Sequence, residues 1–125
     1  MSETRFTKDH EWIRLDGTVG TCGITDYAQQ QLGDVVFVEL PEIGRKVAKG
    51  EQTAVVESVK AAAEIYAPVG GEVVATNAAI VDEPAKVNAA AMGDAWFFRL
   101  RLADPREFAA LMSDAEYQRF VEGLQ

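Results

Sequence analysis

Few side chains in this sequence are of a type that does chemistry, and one of them is set in a suggestive place. Lys60 stands in Glu57-Ser58-Val59-Lys60-Ala61, between Thr53-Ala54-Val55-Val56 and Ala63-Glu64-Ile65-Tyr66-Ala67-Pro68. Both flanking runs are short and rich in β-branched or aromatic residues, and Pro68, Gly70 and Gly71 close the second. Each reads as a strand, and the polar interruption reads as a hairpin turn with Lys60 at or near its tip. A primary amine held there is stiffly presented, solvated and within reach of a large partner, as a covalent attachment site requires. An ordinary surface lysine has the same properties.

The other reactive groups do not assemble into a catalytic constellation. His10 is the sole histidine, so neither a His-rich metal site nor a multi-histidine acid–base network can form. His10 and Glu11 lie in a different strand from Cys22, and nothing in the sequence places them together; His10 reads as a hydrogen-bonded structural residue at a strand start. Cys22, the one cysteine, sits in the apolar run Val19-Gly20-Thr21-Cys22-Gly23-Ile24 and reads as a small buried hydrophobe. Gly17, Gly20 and Gly23 precede no strand-to-helix switch of the kind that cradles phosphate. The pairs Glu42/Glu51 and Asp82/Glu83 read as solvated loops. No catalytic residue and no metal ligand is expected.

Composition bounds the classes. A chain of 125 residues is expected to form one domain over 1–125, with its core within about 6–103 and C-terminal helices over about 105–122. The net charge of −8 argues against nucleic acid, whose phosphates demand a basic face. It suits a protein that docks weakly with basic-faced partners. A single cysteine allows no internal disulfide and points to a reducing compartment. No apolar run reaches membrane-spanning length and the first residues carry no apolar signal core, so a cytoplasmic location is expected for a prokaryotic source, with no membrane partner.

The elements that must hold Lys60 follow from local patterns. Phe6 is expected to begin the ordered part. Glu11–Leu15 alternates polar and apolar residues as a half-buried strand does, and Asp16-Gly17 turns it into Thr18–Ile24. Thr25 is placed to cap a short helix through Gln31 or Leu32, ended by Gly33, with Tyr27, Ala28 and Leu32 facing inward. Val35–Leu40 is a strand stopped by Pro41. Lys46–Glu51 leads into the Lys60 hairpin, Glu72–Asn77 is a further strand, Ala78–Asn88 a loop with one helical turn, and Trp96–Leu102 the last strand. Asp104 caps Pro105–Met112, and Ser113 or Asp114 caps a final helix toward Glu122. About seven short strands with little helix indicate a small, mainly β sandwich or barrel.

The motif Glu57-Ser58-Val59-Lys60-Ala61, with Ile65-Tyr66-Ala67-Pro68 and Gly71-Glu72-Val73 after it, closely resembles the lipoyl-lysine hairpin of the glycine cleavage system H protein family. His10-Glu11-Trp12, Gly23–Gln29, Leu32–Pro41 and Val47–Gly50 match the same family in the same order, and Val87-Asn88 with Gly93–Trp96 more weakly. Lipoyl domains of 2-oxoacid dehydrogenases usually carry Asp-Lys-Ala at the turn, and biotin carriers Met-Lys-Met. The resemblance implies a mainly β, barrel-sandwich hybrid fold with short terminal and inserted helices, and a non-catalytic carrier with lipoate on Lys60. Glu57, Ser58, Val59 and Ala61 are then the turn read by the lipoate ligase or lipoyl/octanoyltransferase. The implied partners are the pyridoxal-phosphate-dependent P protein (glycine decarboxylase), the folate-using T protein (aminomethyltransferase) and the flavin-containing L protein (dihydrolipoyl dehydrogenase). An alternative within the resemblance is a lipoyl donor in a relay to other lipoyl proteins.

In the family the loaded arm folds into a cleft. The positions matching the family's acidic contacts there are Glu11 and Glu64, with Asp9 a third candidate; a cationic amine calls for such carboxylates. Trp12 and Trp96 are expected in the core or cleft wall. Ala63 stands where the family usually has serine, and Ala91-Met92 where Pro-Tyr is common, both expected near the cleft.

Overall fold

The computed structural model describes residues 3–124. Nine strands form two antiparallel sheets among these residues. In chain order they are β1 (Glu3–Phe6), β2 (Glu11–Asp16), β3 (Val19–Ile24), β4 (Val35–Glu39), β5 (Lys46–Val47), β6 (Gln52–Ser58), β7 (Ala62–Tyr66), β8 (Gly71–Thr76) and β9 (Phe98–Leu102). Between and after them lie helices α1 (Asp26–Leu32), α2 (Ala78–Asp82), α3 (Lys86–Ala90), α4 (Pro105–Ala109) and α5 (Asp114–Glu122). One sheet has six strands in the order β1-β2-β3-β9-β8-β5, the other three in the order β4-β6-β7. Neither closes on itself, and the arrangement is the barrel-sandwich type expected.

Local chemistry accounts for most boundaries. The β2–β3 hairpin pairs Asp16 with Val19 across Gly17-Thr18, and Gly17 takes a φ of 63° that a side chain would oppose. Thr25 caps α1, its hydroxyl accepting the Ala28 N–H, and Gly33 ends that helix. Asp104 accepts the Arg106 N–H at the start of α4. Ser113 and Glu116 form a reciprocal capping box at the start of α5.

Four expectations need correction. The ordered part begins before Phe6, because Glu3–Phe6 is a strand paired with β2, Phe6 opposite Trp12. Ala78–Asn88 is not a loop with one turn: α2 and α3 occupy it, pinned by the wholly buried Ile80 and Val87. The last strand starts at Phe98, since Trp96 and Phe97 precede the pairing with β8 and β3. Helix α4 stops at Ala109, short of Met112, because residues 110–112 turn to meet β1.

The main core lies between the sheets. It runs from Ile13, Cys22 and Ile24 through Val56, Ile65 and Val73 to Phe97, Phe98 and Leu100, and it includes Phe108 and Leu111 of the C-terminal segment. Burial on this scale supplies most of the driving force, about 1.5–3 kcal/mol for each large side chain taken from water. A second cluster stacks Phe6 on Tyr117 with ring centroids 4.6 Å apart, beside Trp12. The Trp12 indole lies flat over Gly23, where a Cβ would sit 2.8 Å from Nε1, and its N–H donates to the Ala91 carbonyl at 2.9 Å. The C-terminal segment is fastened to β1 by two backbone bonds between Phe6 and Met112, of 2.9 and 3.0 Å, and by the Arg5 guanidinium on the Leu111 carbonyl at 2.9 Å.

Candidate functional site

Strands β6 and β7 pair antiparallel from Gln52↔Tyr66 to Glu57↔Ala62, which leaves Val59-Lys60-Ala61 as the connecting turn. Ser58 builds it. Its N–H donates to the Ala61 carbonyl at 2.7 Å, and its hydroxyl oxygen accepts the N–H groups of Ala61 at 3.0 Å and Lys60 at 3.3 Å. A serine is suited to this because its short side chain can substitute for a backbone partner. Outside the hairpin, the Val59 N–H donates to the carbonyl of Asp34 at 3.0 Å, tying the turn to the α1–β4 junction.

Glu57, Val59, Lys60 and Ala61 are all exposed, and Ser58 is partly so. The Lys60 stem lies along Gly33: a Cβ on Gly33 would stand 3.4 Å from Lys60 Cε and 4.0 Å from Nζ. Gly33 has a φ of 77°, so glycine serves there both for the backbone bend and for the space the lysine crosses. Three apolar side chains, Val36, Phe37 and Val59, are exposed around the turn.

The far end of β7 reaches a cleft. From Ala62 to Tyr66 the strand runs roughly 13 Å at the usual rise, and beyond it Ala67 and Pro68 line a cleft of about 290 Å3. The remaining wall comes from Phe6–Asp9 and Glu11, from Lys49-Gly50, and from Ala110–Met112. Glu11 is only 2% exposed, against its expected place on a half-buried, alternating strand. Glu11, Trp12 and Ile13 are buried in succession because the Thr7–His10 loop and the end of β7 cover the face that would otherwise be wet. The Glu11 carboxylate accepts the Thr7 hydroxyl at 3.0 Å and the Tyr66 N–H at 2.7 Å. Burial pushes its carboxyl up from 4.5 to about 7, outweighing those two hydrogen bonds.

Glu64 is exposed on β7 and accepts the Tyr66 hydroxyl at 2.9 Å. Tyr66 thus meets both acidic candidates, Glu11 through its backbone and Glu64 through its phenol, a link the sequence did not suggest. Asp9 is exposed at the cleft, with its N–H on the Thr7 hydroxyl at 3.2 Å. Ala63 pairs with Val56 on β7 and does not line the cleft. Ala91 is buried under Trp12, and Met92 is exposed beside Tyr27 and Tyr117. These two positions lie away from the cleft that Glu11 lines, contrary to expectation.

His10 is held in a hydrogen-bonded aromatic cluster. Its Nδ1 is 2.8 Å from the Tyr117 hydroxyl, which also meets the Thr25 hydroxyl at 2.7 Å, and its ring packs on Tyr27. Burial lowers its pKa despite the opposing charge of Asp9. Cys22 is 1% exposed, and burial pushes its thiol well up, so no thiolate is available near neutrality. Trp96 is half-buried beneath the Arg99 guanidinium, 4.2 Å from the ring centroid. Among the described residues no group of three or more His, Cys, Asp or Glu could hold a metal ion, and no helix is long and apolar enough to cross a membrane.

The chain matches the family described as glycine cleavage H-protein over residues 4–123. It is 62% identical to the glycine cleavage system H protein of Parvibaculum lavamentivorans and 63% identical to that of Paramagnetospirillum magneticum, each over 125 residues and the full length of both chains. Its fold is similar to the crystal structure of a glycine cleavage system H protein from Mycobacterium marinum, with a TM-score of 0.88, 34% identity, and 96% of this chain and 97% of that one covered. A full-length match in sequence and fold of this kind settles descent, and the chain belongs to the glycine cleavage H-protein family, the lipoyl carriers of the glycine cleavage system.

Proposed function

We propose that Lys60 is the residue that carries lipoate, and that the whole chain works as one carrier domain. The observation that supports this most directly is the pairing of an exposed lysine on a hydrogen-bonded turn with a cleft at the other end of the same strand. Attachment asks of the chain one free amine on a defined turn. Lys60 Nζ, having given up its ammonium proton, attacks the carboxyl carbon of a lipoyl adenylate. The C–N bond forms as the C–O bond to AMP breaks, a second proton leaves the nitrogen, and the positive charge is gone. Glu57, Ser58, Val59 and Ala61 present the turn to the lipoate ligase or lipoyl/octanoyltransferase.

When attached, lipoate supplies a disulfide that is opened and re-formed by exchange at sulfur. Tethering raises its effective concentration at each partner's active site, the physical reason for a carrier. In this reading the chain takes the aminomethyl group of glycine from the P protein, presents it to the T protein and is reoxidised by the L protein, catalysing none of these steps itself. Glu11 holds a carboxyl inside the cleft, and a cationic amine arriving there favours its ionised form. Asp9 adds negative charge at the cleft, while Glu64, oriented by the Tyr66 hydroxyl, lies outside its wall in a separate depression shared with Ala63 and Tyr66. The bacterial source of the relatives is in keeping with a cytoplasmic setting.

The test is intact mass after incubation of the chain with a lipoate ligase, lipoate and ATP. The expected result is a gain of one lipoyl group that is absent in Lys60→Arg. A wild-type chain left unmodified, under conditions that modify another lipoyl domain, would overturn the reading.

A further inference from the structure

The Lys60 turn has a second support that lies far away in sequence. Asn88, on α3, is partly buried and uses its side-chain amide fully. Its Nδ2 donates to the Gly33 carbonyl at 2.8 Å and to Gln29 Oε1 at 3.0 Å, and its Oδ1 accepts the Val35 N–H at 2.9 Å. These three bonds bracket Gly33-Asp34, the segment that receives the Val59 N–H on the Asp34 carbonyl and against which the Lys60 stem lies. Val87, wholly buried, anchors the helix that bears Asn88. A connected path therefore leads from buried Val87 through the side-chain hydrogen bonds of Asn88 and the Gly33-Asp34 backbone to Val59, the residue before Lys60.

We propose that Asn88 is a positioning residue for acylation of Lys60, an inference that rests on Lys60 being the modified residue. Asn88 is suited to the task because one planar group both accepts and donates, so it can hold a carbonyl and an N–H two residues apart. Without it, Gly33-Asp34 keeps only its backbone bonds, and glycine's freedom lets the segment drift. Val59 then loses a fixed acceptor, and the amine reaches the ligase in a spread of positions. Misplacement of a reacting group by about 1 Å can cost a hundredfold in rate.

The experiment compares the full chain with Asn88→Ala and Asn88→Asp, using a lipoate ligase, lipoate and ATP, and reads kcat and KM for the protein substrate. Asn88→Asp keeps the acceptor for Val35 and removes both donors, so it carries the test if Asn88→Ala fails to fold. The expected result is a fall in kcat of about tenfold in each folded variant, with faster amide exchange at Val59 and unchanged exchange in β2 and β3. A mere loss of folded substrate raises KM and leaves kcat alone, so the split separates positioning from stability. A folded variant with kcat within about twofold of wild type, or with unchanged Val59 exchange, overturns the inference. A wild-type chain that is never acylated overturns the Lys60 reading instead, and this proposal with it.

Discussion

The carboxylate of Glu11 accepts the backbone N–H of Tyr66 at 2.7 Å, joining the start of β2 to the end of the Lys60 hairpin. The contact is buried and carries a cost, because burial lifts the carboxyl to about 7 while an unfolded chain keeps it near 4.5. The folded state holds that proton more tightly, so this group's stabilising contribution is fully present below about pH 4.5 and is lost as pH rises to about 7. The loss is on the order of 3 kcal/mol. In Glu11→Gln the difference from wild type should grow from near zero at pH 4.5 to a clear stabilisation at pH 8. Urea unfolding across that range checks it, and parallel profiles would contradict the assignment. The same variant should protect a bound aminomethyl group less well, measured as faster ammonia release from the loaded carrier.

Lys60→Arg should leave stability within about 0.5 kcal/mol of wild type, as expected for an exposed side chain whose stem rests on Gly33. Thermal unfolding of both proteins checks this. A large loss would mean that the lysine is a structural part of the turn.

Ser58→Ala removes the side chain that accepts the Lys60 and Ala61 N–H groups. We expect about 1 kcal/mol of lost stability and faster amide exchange confined to residues 59–61. Exchange that spreads evenly over β6 and β7 would show that the hydroxyl is not what defines the turn.

Tyr117→Phe keeps the ring stacked on Phe6 and deletes a hydroxyl shared by His10 and Thr25. About 1–2 kcal/mol should be lost, and the His10 imidazole should titrate differently by NMR. Lys60 acylation should be unaffected, since none of these groups touches the turn.

The Lys60 turn was legible in the sequence because its signals are local: runs rich in β-branched or aromatic residues on either side of a polar interruption, with Pro68, Gly70 and Gly71 closing the second. The caps at Thr25, Asp104 and Ser113 were legible for the same reason. The first strand was not. Glu3-Thr4-Arg5 is polar, and it becomes a strand through pairing with β2 and the Met112 bridge. Of helices α2 and α3 only one helical turn was expected, because each is short and held by one buried side chain, Ile80 or Val87. Glu11 was recognised as a candidate, but its burial was not, since the cover comes from Tyr66, 55 residues away. Asn88 was equally hidden, for its partners Gly33 and Val35 lie more than 50 residues back.

The cleft takes one wall from Phe6–Asp9 and another from Ala110–Met112, joined by the Phe6–Met112 bridge. A ribosome delivers residues in order, so the Lys60 hairpin has left the exit tunnel while that second wall is still being translated. On the proposed reading, then, the modifying enzyme's target is made during synthesis before the cleft is complete. A lysine acylated on the nascent chain would have nowhere to stow its cargo until the last helices arrive.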